Sequence, residues 1–198
     1  MNDTSLCRSP ELMSRRDTGL LVVDVQEKLI GFVERHRRIV WNIRRLIDGA
    51  HALGLPVAAT EQYPKGLGHT VPELAERLKQ VGVSSLPEKV AFSCGACGSI
   101  FHKWRERDVF RVLVCGIEAH VCVQQTVFDL LAEGFRVYVA ADAVGARYAV
   151  DYEFALRRME SAGAALTTTE AALFEWCEVA GTPEFKQISA LVRETPPE

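Results

Sequence analysis

The feature that most constrains the fold of this chain is an alternation of short apolar runs with longer amphipathic segments. The apolar runs are rich in Val, Leu and Ala and lack a polar residue at every second position, which is typical of strands covered on both faces. The runs are GLLVVDV (19–25), LPVAAT (55–60), a weaker one near VSSLPEKV (83–90), VFRVLVCG (109–116), FRVYVAA (135–141) and AALTTT (164–169). We therefore predict about six strands.

Helices are predicted between and after these runs. Most of them stop at a glycine, which suits a C-terminal cap, and one has a proline in its first turn. The predicted helices cover about 36–53, 72–80, 120–133, 148–162 and 183–193. Strand, helix and strand in succession require right-handed crossovers and parallel strands. The predicted fold class is α/β, a three-layer αβα sandwich around a mostly parallel, Rossmann-like sheet of about six strands.

The length and composition fit one domain with an extensive core. The chain has 198 residues, of which 48% are hydrophobic and 25% charged, enough to bury a substantial core. The polar residues 1–16 are predicted to form a flexible N-terminal arm. Residues 17–198 are predicted to form a single domain that ends in the short tail ETPPE.

Charge and hydropathy exclude several classes of partner. A formal net charge of -3 gives no electrostatic reason to expect nucleic acid or an anionic membrane. No apolar run approaches the roughly 18 residues that span a bilayer, and the start lacks the basic-then-apolar order of a signal peptide. The six cysteines without such a signal indicate reduced thiols. We expect a cytoplasmic protein that acts on a small neutral or mildly polar molecule.

Three polar residues fall where strands of the predicted sheet end. Asp24 closes the first run, Lys89 lies in EKVAFSC, and Cys122 follows the strand that ends near Cys115. Ligands of open parallel sheets bind at the carboxyl ends of the strands. Taken singly, each residue also has an ordinary structural explanation: a helix cap for Asp24, a solvated side chain for Lys89 and a small buried hydrophobe for Cys122.

Together the three residue types fit nucleophilic catalysis. Cys122, at the positive end of a helix dipole, would attack a carbonyl carbon while Asp24 accepts its proton. Lys89 would hold Asp24 and the thiolate in place and favour charge on sulfur. The oxyanion needs backbone N–H donors, and the turn GIEAHVC at 116–122 would supply them from Glu118 and Cys122.

Further residues near these positions are candidates for the substrate pocket. Tyr63 in EQYPKG and Phe92 in VAFSC are possible walls, with an exposed turn aromatic as the alternative for Tyr63. His120 would touch substrate or cap the helix. The pair Cys94 and Cys97 forms a C-x-x-C motif, but no second such pair or zinc-type histidine pair accompanies it. A loop beside the pocket is therefore favoured over a redox or metal role.

At these residues the sequence resembles the isochorismatase-like cysteine hydrolases, and most closely the subgroup called isochorismatase domain-containing proteins. The resemblance rests on LLVVDVQEKL (20–29), TEQYPKGLGHTVPEL (60–74), EKVAFSC (88–94) and VLVCGIEAHVCVQQTVFDLLAEGFRVYVAADAVGAR (112–147). It implies that 17–198 is one isochorismatase-like hydrolase domain with an Asp, Lys, Cys triad on Asp24, Lys89 and Cys122. It also implies a cis peptide bond at Ile117–Glu118 and a homo-oligomer, usually a dimer or tetramer.

Departures from branches of the family narrow the expected chemistry. Nicotinamidases hold a metal after the second strand, but here that region offers only Glu61 and His69, too few for a site of three or four ligands. We therefore expect no metal and no cofactor. The vinyl-ether-cleaving isochorismatases lack the cysteine, so Cys122 favours hydrolysis of an amide or imide C–N bond through a thioester. The alternatives are a vinyl ether hydrolase, a nicotinamidase and a non-catalytic binding or scaffold member of the fold.

Overall fold

A parallel β-sheet forms the middle layer of the molecule. The computed structural model describes residues 8–198. Its strands are β1 (Thr18–Val23), β2 (Val57–Gln62), β3 (Glu88–Lys89), β4 (Arg111–Ile117), β5 (Arg136–Gly145) and β6 (Ala165–Thr167). They lie in the order β3-β2-β1-β4-β5-β6 and pair in parallel throughout. The predicted three-layer α/β fold is confirmed.

Helices cover both faces of the sheet. Those of the described residues are α1 (Glu27–Ile30), α2 (His36–Leu53), α3 (Pro64–Leu67), α4 (Pro72–Gln80), α5 (Gly98–Arg105), α6 (Gln124–Ala132), α7 (Ala149–Ser161), α8 (Thr169–Cys177) and α9 (Pro183–Val192). A 3₁₀ turn (Cys94–Cys97) precedes α5, and a π-helical turn (Ala119–Val123) precedes α6. One outer layer is built on α2, α8 and α9, and the other on α5, α6 and α7.

The central strands carry apolar side chains on both faces because both of their faces are covered. In β1, Leu20 and Val22 pack into the core on the α2 side, whereas Leu21 and Val23 pack into the core on the α6 side. The side chains of a strand alternate between the two faces of a sheet. A strand with a hydrophobic core on each face therefore needs apolar residues at both its odd and its even positions. Full burial of each large aliphatic side chain contributes roughly 1.5–3 kcal/mol.

The sequence and the structure differ over four helices. The bounds of α2 and α4 match the predicted ones, but the single-turn helices α1 and α3 and the longer α5 and α8 were not predicted. Helix α5 follows the C-x-x-C stretch directly and starts on a glycine, which gives it no capping signal. Helix α8 starts two residues after β6, so its first turn shares the threonines of the predicted last strand. Short helices that directly adjoin another element are hard to separate from it by periodicity.

Part of the predicted N-terminal arm packs on the domain. The Met13 side chain is fully buried, and the backbone N–H of Met13 donates to the Glu175 carboxylate at 2.8 Å. Arg8 donates to the carbonyl of Glu175 at 2.7 Å. Residues 8–16 of the arm predicted over 1–16 thus include an apolar anchor and two hydrogen bonds to the domain. Residues 1–7 lie outside the described part of the chain.

None of the helices in the described residues combines the length and the apolar character needed to cross a membrane.

Candidate active site

Asp24 follows β1 at the carboxyl edge of the sheet. Its side chain is fully buried, and its backbone is in the left-handed region with φ of 50°. A non-glycine residue in this region costs free energy, and such strain concentrates at functional positions. The backbone N–H of Asp24 donates to the Thr60 carbonyl at 3.2 Å, and the Thr60 hydroxyl donates to Oδ1 of Asp24 at 2.8 Å. Residue Thr60 of β2 therefore fixes both the backbone and the carboxylate of Asp24.

Lys89 reaches Asp24 from β3, across β2. Its Nζ donates to Oδ2 of Asp24 at 2.6 Å, to Oε1 of Gln62 at 2.8 Å and to the Phe92 carbonyl at 2.8 Å. An ammonium group has three N–H donors, so these contacts use all of them. Burial is the largest influence on the pKa of Lys89 and lowers it, but the charge of Asp24, the charges of Cys94 and Cys122 and the hydrogen bond to Asp24 together outweigh burial, so the net pKa is raised. Lys89 is therefore a fixed cation.

Cys122 lies in the π-helical turn between β4 and α6, with 5% of its surface exposed. The negative charge of the Asp24 carboxylate acts on its thiol. Burial and then the charge of Asp24 raise the pKa of Cys122, and the charge of Lys89 opposes them only in part. The helix terminus and Lys89 were expected to favour a resting thiolate, whereas burial and the Asp24 carboxylate act in the opposite direction and favour the protonated thiol.

The chain reverses between β4 and Cys122 through a tight turn. The Ile117–Glu118 peptide is cis, as the family resemblance predicts. The Glu118 carbonyl accepts the backbone N–H groups of Val121 and Val123 at 3.0 and 3.2 Å. The Glu118 carboxylate is held by Arg147, whose Nε and Nη2 lie 2.9 and 3.3 Å away. Both ends of Glu118 are therefore anchored beside the nucleophile candidate.

Gly116 lets the end of β4 approach β1 closely. Its φ is 121°, and a Cβ at this position would lie 2.1 Å from the backbone oxygen of Val23. No side chain fits there, because the obstacle is backbone and the conformation disfavours L-residues. The glycine thus brings the turn that carries Cys122 against the residue that precedes Asp24.

The three pocket candidates flank this cluster. Tyr63 donates its backbone N–H to the Lys89 carbonyl at 2.9 Å, and Phe92 accepts from Lys89 Nζ. Both rings are about half exposed. His120 lies in the same turn as Cys122, and its Nδ1 has no hydrogen-bond partner among the described residues. The backbones of Tyr63 and Phe92 thus lie beside Lys89, and His120 lies in the turn of Cys122.

The C-x-x-C turn packs against the back of the cluster. Cys94 Sγ lies 3.3 Å from the Thr60 hydroxyl, and burial raises its pKa to about 11. The Cys94 N–H donates to the Thr126 hydroxyl at 2.8 Å, which in turn donates to the Cys122 carbonyl at 2.6 Å. Cys94 and Cys97 are free thiols. Thr126 therefore joins the turn of Cys94 to the turn of Cys122.

Glu61 and His69 contact each other rather than a third potential ligand. His69 Nδ1 lies 3.0 Å from the Glu61 carboxylate, whose other oxygen accepts the N–H and the hydroxyl of Thr70 at 2.6 and 2.8 Å. Within residues 8–198, no group of three or more His, Cys, Asp or Glu side chains is placed to hold a metal ion.

Several residues of the cluster were missed at the level of sequence. Thr60, Gln62, Thr126 and Arg147 each bond directly to a predicted site residue. A signal was present for two of them, because Thr60-Glu61-Gln62 is a polar stretch at the carboxyl end of an apolar strand. The same reasoning that selected Asp24 applies to that stretch.

Comparisons with known proteins agree with this geometry. The isochorismatase domain matches residues 18–171. Isochorismatase domain-containing protein 2 of Danio rerio is 38% identical over 190 residues, which cover 94% of this chain and 92% of that protein. The secreted isochorismatase effector Isc1 of Phytophthora sojae is 36% identical, covering 88% of this chain and 84% of the effector. The solved MAR1 ribonuclease from Caenorhabditis elegans is 40% identical with a TM-score of 0.83, covering 94% of this chain and 95% of the ribonuclease.

Proposed function

Because this chain belongs to the isochorismatase family, we propose that it is a hydrolase that cleaves an amide or imide C–N bond of a small molecule, with Cys122 as nucleophile. One observation carries the proposal: the Asp24 carboxylate is paired with Lys89 at 2.6 Å, and its charge helps to raise the pKa of the Cys122 thiol. A protonated nucleophile, a carboxylate base that acts on it and a fixed cation behind the base are the parts that covalent catalysis requires.

In the first step, sulfur attacks the carbonyl carbon of the substrate. Asp24 takes the thiol proton as the S–C bond forms and the carbonyl π electrons move to oxygen. The raised pKa of Cys122 makes this transfer necessary, because little thiolate exists before substrate arrives. Burial keeps water from the sulfur, so the proton passes to Asp24 rather than to solvent.

The tetrahedral oxyanion is stabilised by backbone donors of the turn that precedes α6. We assign this role to the N–H groups of Glu118 and Cys122, as the sequence predicts. Fixed donors aimed at a developing charge act strongly in a site that excludes water. The two hydrogen bonds to the Glu118 carbonyl and the Arg147 contacts hold the residue that carries one of these donors.

In the second half of the reaction, Asp24 acts as an acid and then as a base. It gives the proton to the leaving nitrogen as the C–N bond breaks, which leaves a thioester on Cys122. A water molecule then attacks the thioester carbonyl while Asp24 accepts one of its protons. The C–S bond breaks, the thiolate recovers that proton from Asp24, and a carboxylic acid leaves.

Lys89 acts through its charge and not by contact with substrate. Its three donors are already taken by Asp24, Gln62 and Phe92. A permanent positive charge at 2.6 Å from Asp24 keeps the carboxylate ionised in a buried site, where it would otherwise be costly. The lysine thereby keeps Asp24 in the deprotonated form that can accept a proton.

The substrate is proposed to be small and uncharged. Tyr63 and Phe92 offer flat apolar walls, and His120 offers an unpartnered ring nitrogen for one hydrogen bond. Small-molecule sites typically combine such walls with a few polar groups that fix orientation. We assign specificity to these three side chains.

The protein is further proposed to form a homo-oligomer, a dimer or tetramer, in the cytoplasm. Helix α7 and the residue before it expose Tyr148, Val150 and Phe154 beside the turn of His120. Large exposed apolar side chains grouped on one element favour a contact between subunits. Ala155 of the same helix is buried within the domain and takes no part in this exposed group.

A panel of substrates and variants tests the reaction. The panel contains aliphatic and cyclic amides and imides, nicotinamide, a vinyl ether and a single-stranded RNA, the last two because of the effector and ribonuclease relatives. We expect turnover of an amide or imide and an acyl adduct on Cys122 by mass spectrometry. Cys122→Ala should abolish both, and Cys94→Ser and Cys97→Ser should keep both. Turnover that survives in Cys122→Ala would refute the proposal.

A further inference from the structure

A second cavity lies between α2 and the start of α8, and neither Asp24, Lys89 nor Cys122 lines it. It has a volume of about 700 Å³. The side chains that matter for its chemistry are Trp41, Asn42, Arg45, Asp142, Glu170 and Phe174. Pro196 of the C-terminal tail forms part of its rim. The volume is within the range of small-ligand sites.

Arg45 is a buried cation without an ion-pair partner in the described structure. Only 4% of its surface is exposed, and its Nε has no hydrogen-bond acceptor within residues 8–198. Its guanidinium stacks on the Trp41 ring, 4.0 Å from the centroid. The preceding residue, Arg44, is by contrast paired with both Asp48 and Glu194. Asp142, Glu194 and Glu170 act on Arg45 through their charges, but among the described residues none of them forms an ion pair with it. A buried charge is costly unless it is paired, so the Arg45 guanidinium is left without a direct anionic partner.

Asn42, which lines the same cavity, has a side-chain oxygen that accepts no hydrogen bond from the described residues. It is 2% exposed, and its Nδ2 donates to the Asp142 carbonyl at 2.6 Å. Its Oδ1 has no hydrogen-bond partner among the described residues. Buried amide oxygens are almost always satisfied in native proteins. A planar cationic donor and a free acceptor therefore face one cavity.

The rest of the lining restricts the charge and shape of a ligand. Asp142 and Glu170 also line the cavity, and their negative charges disfavour an anion with more than one charge. Trp41, Pro196 and the 42% exposed Phe174 form an apolar wall next to Arg45. A guanidinium matches the geometry of a carboxylate through two parallel hydrogen bonds.

We propose that this cavity is a binding site for a small organic monocarboxylate. The carboxylate pairs with Arg45, a hydrogen-bond donor of the ligand contacts Asn42 Oδ1, and the apolar body lies against Trp41 and Phe174. The site is separate from the proposed reaction, since Cys122 takes no part in it.

Isothermal titration calorimetry with 3-phenylpropanoate at constant ionic strength tests the site. The probe carries the carboxylate and the apolar body, and 3-phenylpropan-1-ol is its uncharged counterpart. Arg37→Gln is the matched control variant, because it removes the same charge from the same helix at a residue that does not line the cavity. Inorganic phosphate tests whether any anion suffices.

We expect saturable binding of 3-phenylpropanoate to the parent and to Arg37→Gln, and binding at least tenfold weaker to Arg45→Gln. Arg45→Lys, which keeps the charge but loses the planar fork, should also weaken binding, and the alcohol should not bind. If Arg45→Gln does not fold by circular dichroism, Arg45→Lys and Asn42→Ala carry the comparison. Equal binding by the Arg45 variants, tighter binding of phosphate, or no saturable binding by the parent would overturn the proposal.

Discussion

The Lys89 ammonium lies 2.6 Å from the Asp24 carboxylate, and the side chains are only 1% and 0% exposed. Removing two ions from water costs several kcal/mol each, and their attraction offsets this only with further hydrogen bonds. Thr60 and Gln62 provide such bonds, one to the carboxylate and one to the ammonium. The cost of burying each ion is therefore offset by the other ion and by these hydrogen bonds, so the loss of one ion destabilises the other.

Lys89→Met should lower the free energy of unfolding by about 3–5 kcal/mol, because it leaves Asp24 charged and alone in the interior. The double variant Asp24→Asn with Lys89→Met should be more stable than Lys89→Met alone, since no isolated charge remains. Urea unfolding followed by circular dichroism measures both. Losses that simply add in the double variant would show that the two ions are not coupled.

Alkylation of Cys122 by iodoacetamide should be slow at pH 8 and should rise only at higher pH. Burial and the Asp24 charge raise the pKa of this thiol above its ordinary value of 9.0, and the thiolate is the reactive form. Asp24→Asn removes a negative charge and should speed alkylation at the same pH, while it abolishes turnover.

Mass spectrometry of the Cys122 peptide gives the rates, and the urea-unfolded protein supplies the rate of an unperturbed thiol. A faster rate in the folded parent than in the unfolded chain would contradict the raised pKa. Slower alkylation in Asp24→Asn would contradict the action of the Asp24 charge on Cys122.

Stability should fall as pH rises above about 9. Burial raises the pKa of Cys94 to about 11 and that of Cys115 still further, from an ordinary value of 9.0. An unfolded thiol therefore loses its proton first, so the stabilisation present below pH 9 is lost on going up through the folded pKa values. Cys115→Ala should reduce the slope between pH 9 and 11 by about 1.4 kcal/mol per pH unit. Urea midpoints across this range measure the slope, and an unchanged slope would count against the burial effect.

Gly116→Ala should destabilise the protein by roughly 3 kcal/mol or more, through positive-φ strain and a clash with backbone. A Cβ would lie 2.1 Å from the Val23 oxygen, and β1 cannot retreat without losing its own pairing. Gly134→Ala is the matched control, because its φ is also positive but nothing lies within 4 Å of the added Cβ. Equal thermal midpoints for the two variants would mean that the close approach to β1 has no energetic role.

Thr60→Val should reduce kcat by roughly ten- to a hundredfold and leave KM unchanged. The hydroxyl donates to Asp24 at 2.8 Å, and a hydrogen bond to a charged group contributes about 1.5–3 kcal/mol. Thr60→Ser keeps that donor and should restore most of kcat. Steady-state kinetics on the best substrate of the panel decides the matter, and a matching loss in the serine variant would assign Thr60 a packing role only.

The predictable part of this molecule is what hydrophobic periodicity and helix stops specify. The buried strands lack alternation because they are covered on both faces, and glycines end helices such as α2 at Gly54. Asp24 was recognisable because a carboxylate in an apolar run needs a partner. The parallel sheet then directed attention to the strand ends, where Lys89 lies as well.

The remainder depends on which strands are neighbours. Thr60 and Gln62 matter because β2 lies between β1 and β3, an order that no local pattern encodes. The pKa of Cys122 was expected to be lowered, whereas burial raises it, since the helix dipole is local but desolvation is set by the whole fold. The sequence also could not show that Arg45 has no ion-pair partner among the described residues, because that depends on which side chains the fold places around it.

The contact between Asp24 and Lys89 spans 65 positions of the chain, and Cys122 comes later still. Contacts so distant in sequence form late, after the loops between them have closed. In a molecule with only half of its sheet assembled, Cys122 and Asp24 are not yet brought together, so the molecule has no activity. Recovery of turnover after dilution from denaturant would therefore time the completion of folding.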